Sequence, residues 1–270
     1  MIKHYASIPL LTLLGAAAAF VLRLQFCRTG FEAATGLPVP GNLYARLFLV
    51  LLAVLAVLCL LLVSRVPDEK RSPSPPFADV FSTRQPLLLM VLIAGIFLLG
   101  ISGVLEIISA FRPDVPHRGL FSGLLTVISA GCLLPLLPLC RKPAKRMEQE
   151  PLSSGISHIL LVPVCCLVVR LVLIYRVDSV NPSISVYFVE ILALVFLTLS
   201  FYRLSSFAYQ VGRTRRFLLY ALPAVILSVS TLAEGHPLYG TLFYAGAAVT
   251  LMGFLLLRLD SLSAGLRRPS

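Results

Sequence analysis

An all-α fold, a polytopic bundle of about eight membrane-spanning helices, is what this sequence predicts. Three observations carry that reading. Hydrophobic residues make up 58% of the 270-residue chain and charged ones only 13%, where soluble domains run at about 25% charged. Apolar runs of roughly 20 residues, the length that crosses a bilayer, recur from end to end. The basic residues fall in alternate connections between those runs rather than evenly along the chain.

Eight runs satisfy the length rule: Ser7–Phe26, Tyr44–Ser64, Pro86–Ala110, Gly119–Leu139, Ser157–Tyr175, Ser185–Tyr209, Phe217–Glu234 and Pro237–Leu257. The first imitates a signal peptide after Lys3, but it is long for one and no cleavage site follows Ala16–Ala19, so it reads as an uncleaved helix. Gly235-His236-Pro237 is the sole divider of the last two runs; proline after glycine breaks a helix, and a hairpin is expected there. Proline kinks are expected at Pro163, at Pro223 and at the Pro135/Pro138 pair. The stretch Val66–Gln85 reads as a linker with too little apolar content to fold alone.

Lys and Arg set the orientation. Sixteen lie at the N-terminus, in the second, fourth and sixth loops and at the C-terminus, against four (Arg28, Arg112, Arg118 and Arg176) in the odd-numbered loops. Both termini are therefore expected in the cytoplasm of a multi-pass cell-membrane protein. The formal charge of +11 follows from the same loops facing an anionic leaflet, and nucleic acid is not an expected partner.

A tandem duplication is expected, with residues 1–140 as the first four-helix unit, 141–156 as a cytoplasmic linker and 157–270 as the second unit. Val21-Leu22-Arg23-Leu24 resembles Val168-Val169-Arg170-Leu171, and Leu99-x-x-Ser102-x-x-x-Glu106 resembles Leu227-x-x-Ser230-x-x-x-Glu234. Tyr44 with Tyr187, Leu120-Phe121 with Leu238-Tyr239, His4 with His158 and His117 with His236 follow in the same order. Four helices per unit make such halves parallel, related by an axis along the membrane normal.

The residue that most needs an explanation is Arg170, in the apolar run His158–Arg176. A guanidinium keeps its charge, and in hydrocarbon it costs roughly 2.5–3.5 kcal/mol even on a lenient insertion scale. Six ionisable residues fall in the outer half of the spans: Arg23, Arg46, Glu106, Arg170, Glu190 and Glu234. Arg23, Arg46 and Glu234 lie near helix ends, where snorkelling accounts for them. Arg170 and Glu190 lie at equal depth, roughly 8–9 Å inside the boundary at 1.5 Å per residue, so an ion pair locking the fifth and sixth helices is expected. The sharper alternative makes Arg23 and Arg170 line an outward cavity for an anionic group, with Glu106, Glu190 and Glu234 as counter-charges.

On these grounds the expected function is a small-solute permease, or the membrane component of a transport system, taking an anionic or zwitterionic solute. The alternative is a membrane scaffold or ligand-sensing subunit whose Val66–Gln85 loop docks a cytoplasmic protein. An enzyme is disfavoured, and no cofactor or metal is expected: the sequence holds no nucleotide-binding glycine loop, nucleophile elbow or His-Glu-x-x-His motif. The six cysteines form no Cys-x-x-Cys pair and read as small buried hydrophobes. The four histidines sit at helix entrances, where interfacial packing is the expected role. The aromatic and basic end of the sixth helix reads as an interfacial belt.

Overall fold

A computed structural model describes residues 7–32, 39, 41–66, 77–111, 118–141, 154–178 and 184–265. Lys3, His4, Arg112, His117, most of the 141–156 linker and the Tyr187 side chain lie outside the described residues. The helices are α1 (Ser7–Thr29), α2 (Leu43–Ser64), α3 (Phe77–Phe81), α4 (Pro86–Ala110), α5 (Arg118–Leu133), α6 (Leu136–Leu139), α7 (Ser154–Ile159), α8 (Val162–Asp178), α9 (Ile184–Ala208), α10 (Thr214–Thr231) and α11 (Leu238–Gly265). A single 3₁₀ turn, Leu232–Glu234, extends α10.

Eight of the helical stretches are long and apolar enough to cross a membrane, among them Ser7–Thr29, Pro86–Ala110, Thr214–Glu234 and Leu238–Ser263. The chain is an integral membrane protein built as a helical bundle. Local chemistry sets the helix ends. Asn42 caps α2, its side-chain oxygen accepting from the N–H groups of Tyr44 and Ala45 at 2.8 and 3.3 Å. Its Nδ2 donates to Thr29 O, so the same residue also closes α1. Pro86 occupies the first turn of α4, where its missing N–H costs nothing. Gly235, at φ 71°, takes the left-handed conformation that stops the 3₁₀ turn, and Pro237 keeps the helix from resuming before α11.

Prolines act differently from one another. Pro223 is carried inside a continuous α10. The break expected at Pro163 is present: the chain turns at Leu160–Leu161, and Pro163, with no N–H to donate to the Ile159 carbonyl, lies in the first turn of α8. The Pro135/Pro138 region breaks the fourth span into α5 and the one-turn α6.

The helices that form the last hairpin are the centre of the bundle: 67% of the seventh span and 78% of the eighth are buried, against 22–44% for the others. Close approach rather than polarity drives their packing, as in membranes generally. A Cβ on Gly95 of α4 would sit 2.5 Å from the Thr250 nitrogen of α11, and one on Gly246 would sit 2.8 Å from the Leu99 nitrogen. Gly103 and Gly123 bring α4 against α5 in the same way.

Among the described residues, the two halves do not present matching neighbourhoods. α4 lies along α11, whereas its counterpart α10 borders α1, α2, α9 and α11. The Val66–Gln85 stretch also departs from a simple linker. Its last part folds as α3, and Phe77, Val80 and Phe81 are buried. The Phe81 ring meets Phe207, Phe217 and Phe254 edge-on at 5.2–6.0 Å. Thr83 Oγ1 and Gln85 Nε2 donate to Asp260, and the guanidinium of Arg258 donates to Thr214 Oγ1 and Val80 O. Tertiary aromatic contacts thus supply what the local composition lacks, and they seal the end of the bundle at which α1 begins and α11 finishes.

Candidate functional site

At the opposite end, where α1 finishes, five of the six ionisable residues singled out from the sequence come together. Arg23 of α1 reaches Glu234, with Nη2 at 2.7 Å and Nε at 3.0 Å from Oε1. Arg170 of α8 donates from Nη1 to Glu106 Oε2 of α4 at 2.9 Å, and to the hydroxyls of Ser122 and Thr126 of α5 at 3.0 Å each. Both pairs are nearly withdrawn from solvent, with Arg23 at 1% and Arg170 at 8% side-chain exposure.

The expected Arg170–Glu190 lock is thereby corrected: the carboxylate that Arg170 binds is Glu106. Rotation about the helix axis, not depth along it, decides which neighbour is faced. Arg170 faces α5 and α4, while Glu190 of α9 faces α11, where it accepts a hydrogen bond from Tyr244 Oη at 2.7 Å. Aromatic faces complete the setting. The Arg170 guanidinium carbon lies 3.9 Å from the Phe243 ring centroid, and Arg23 lies over Phe26, Phe48 and Phe188 at 5.0–5.7 Å.

His236 and Tyr244 are the members that sequence reasoning missed. His236 Nε2 lies 3.4 Å from Glu234 Oε2 and 4.0 Å from Glu190 Oε1, and its ring stands 5.5 Å from that of Tyr244. The signal was present in Gly235-His236-Pro237, where a tight turn fixes the imidazole beside the Glu234 carboxylate two residues earlier. Burial lowers the His236 pKa, but the contact with Glu234 and the charges of Glu190 and Glu234 outweigh it and the opposing Arg170, so the net shift is upward. His236 and Glu190 are also the more open residues, at 18% and 14% side-chain exposure, so they mark the mouth of the cluster.

A cavity of about 20 Å³ lies against Arg170, lined otherwise by Thr126 and Ser129 and by apolar groups such as Leu99, Phe201 and Phe243. That is room for about one water. Arg170 Nε, buried here, has no hydrogen-bond partner within the protein. Arg46 is exposed near the start of α2. His158 stays apart from the cluster, paired with Tyr209 Oη at 3.1 Å. Glu190, Glu234 and His236 each offer one ligand atom, all within 4.8 Å of one another, and they are the group that can hold a metal ion among the described residues. All six cysteines are free thiols.

Fold and site together define a polytopic α-helical membrane protein with a buried ionic cluster near one end. No protein-family model matches the chain, no curated protein matches it and no solved structure matches it.

Proposed function

We propose that the protein is a small-solute permease, or the membrane component of a transport system, whose charged cluster is the solute site. One observation carries this reading: Arg23, Glu106, Arg170, Glu190 and Glu234, from five different helical stretches, converge in one place instead of each finding a separate interface. Ionisable groups gathered inside a membrane bundle are costly and mark functional sites by default. Guanidinium donors beside carboxylate acceptors match a zwitterion, whose anionic end takes an arginine and whose cationic end takes Glu190 or Glu234. The buried Nε of Arg170, which has no hydrogen-bond partner within the protein, is a donor available for that task.

In this reading the protein sits in the cell membrane with both termini in the cytoplasm, and the cluster opens outward. The distribution of basic residues supports this. A reporter fused after Pro76 or Arg146 would then report cytoplasm, and one in the 112–117 loop the outside. The duplication is supported by the ion pairs, which follow the exchange it requires: the first span pairs with the seventh and the fifth with the third. The unequal helix neighbourhoods count against rigid superposition of the halves.

The test is uptake by purified protein in proteoliposomes, using a panel of radiolabelled amino acids and betaine-type zwitterions. Uptake of at least one, lost in Arg170→Lys while the variant remains folded, is the expected result. No uptake across the panel by folded wild type, in either direction of gradient, overturns the reading.

A further inference from the structure

Two features of the cluster point to a ligand beyond the solute. First, Glu190 of α9, Glu234 of the 3₁₀ turn and His236 of the α10–α11 turn aim one nitrogen and two carboxylates at one spot, with 3.4 and 4.0 Å between the imidazole and the carboxylates. Ligands that share a tetrahedral cation at about 2.0–2.2 Å sit roughly 3.3–3.6 Å apart, so small side-chain adjustments would close the set. Second, both carboxylates are fixed by a hydrogen-bond donor, as ligating carboxylates are in metal centres: Arg23 holds Glu234 Oε1 and leaves Oε2 toward His236, and Tyr244 Oη donates to Glu190 Oε1. His236 Nε2, by contrast, is enclosed and makes no hydrogen bond.

We propose that Glu190, Glu234 and His236 bind one divalent transition-metal cation at the mouth of the cluster. One imidazole with two carboxylates favours zinc or manganese over calcium, which takes six to eight oxygens. Three protein ligands leave a fourth position for water or for a solute carboxylate. The sequence conceals the set because its members come from three separate elements with no fixed spacing. The site does not depend on the permease reading, and its test reads metal directly rather than transport.

The experiment is zinc chloride titration by calorimetry into full-length protein, stripped with EDTA and held in detergent at pH 7. One zinc per chain is expected, with affinity reduced 10-fold or more in His236→Ala and in Glu190→Gln, and unchanged in His158→Ala. Binding should weaken at pH 5.5, as protons compete for the imidazole. Should the variants fail to fold, X-ray absorption of the wild-type zinc complex decides. Nitrogen and oxygen scatterers at about 2.0–2.1 Å support the site, while sulfur scatterers, which would place zinc on cysteines, overturn it. Absence of zinc binding by folded wild type, or undiminished binding in His236→Ala, also overturns it.

Discussion

Replacing Glu106 with leucine leaves Arg170 as a charge with no carboxylate at hydrogen-bond distance. At the observed 2.9 Å, two unit charges attract by roughly 6 kcal/mol at an effective dielectric of about 20. The loss is smaller than that, because Nη1 keeps its bonds to Ser122 and Thr126, each worth about 1.5–3 kcal/mol to a charged group. A cost of about 3–5 kcal/mol, the range for breaking a buried pair, is therefore expected for Glu106→Leu, and a similar one for Arg170→Leu. The double variant removes both desolvation costs and should recover to within about 1 kcal/mol of wild type. Thermal unfolding in detergent, read with the monodisperse fraction on gel filtration, measures all four proteins. Additive losses in the double variant would refute the reasoning, since they would mean that the two residues act on stability separately. Glu190→Leu should not rescue Arg170→Leu, which distinguishes the observed pairing from the hairpin pairing.

Three other outcomes follow from the geometry. His236 has a raised pKa, so its contribution to stability is complete below the unfolded value near 6.5 and is lost as pH climbs through the folded value; EDTA-treated wild type should melt lower at pH 8.5 than at pH 6, and His236→Gln should flatten that slope. Phe81→Ala empties the ring cluster formed with Phe207, Phe217 and Phe254 and should cost about 3–5 kcal/mol in the same unfolding assay. Gly95→Val drives a side chain into the Thr250 backbone, and the separation of α4 from α11 should cost about 1–3 kcal/mol or more, seen as a lower melting temperature.

Eight spans were legible because one quantity, apolar length against bilayer thickness, decides them; seven lie within three residues of their expected bounds, and the eighth runs on past Leu257 to Ser263. The Gly235-His236-Pro237 hairpin was legible because left-handed glycine and proline leave the chain few choices. The carboxylates and guanidiniums of the cluster were legible for a related reason: a charge inside an apolar run stands out whatever it binds. Their partners were not. Pairing depends on helix rotation and on which helix lies alongside, and spans exposed to lipid on one face carry no polar stripe that reveals either. Hence Arg170 was matched with Glu190 by depth, although α5 brings Ser122 and Thr126 to it and α4 brings Glu106. His236 was passed over because a histidine at a helix entrance has an ordinary explanation, and only the fold sets it between two carboxylates. Phe77–Phe81 was passed over because its burial comes from rings more than a hundred residues away.

The proposed solute site requires that water and solutes reach the charged cluster from outside the cell, and accessibility of position 236 tests that most directly. His236→Cys, in a background with all six native cysteines replaced by alanine, is exposed in intact cells to a membrane-impermeant maleimide. Labelling from outside, reduced when Glu190 is enlarged to Trp across the mouth, is the predicted result. A cysteine that reacts only from the cytoplasmic side of inverted vesicles, or only after denaturation, would contradict the account.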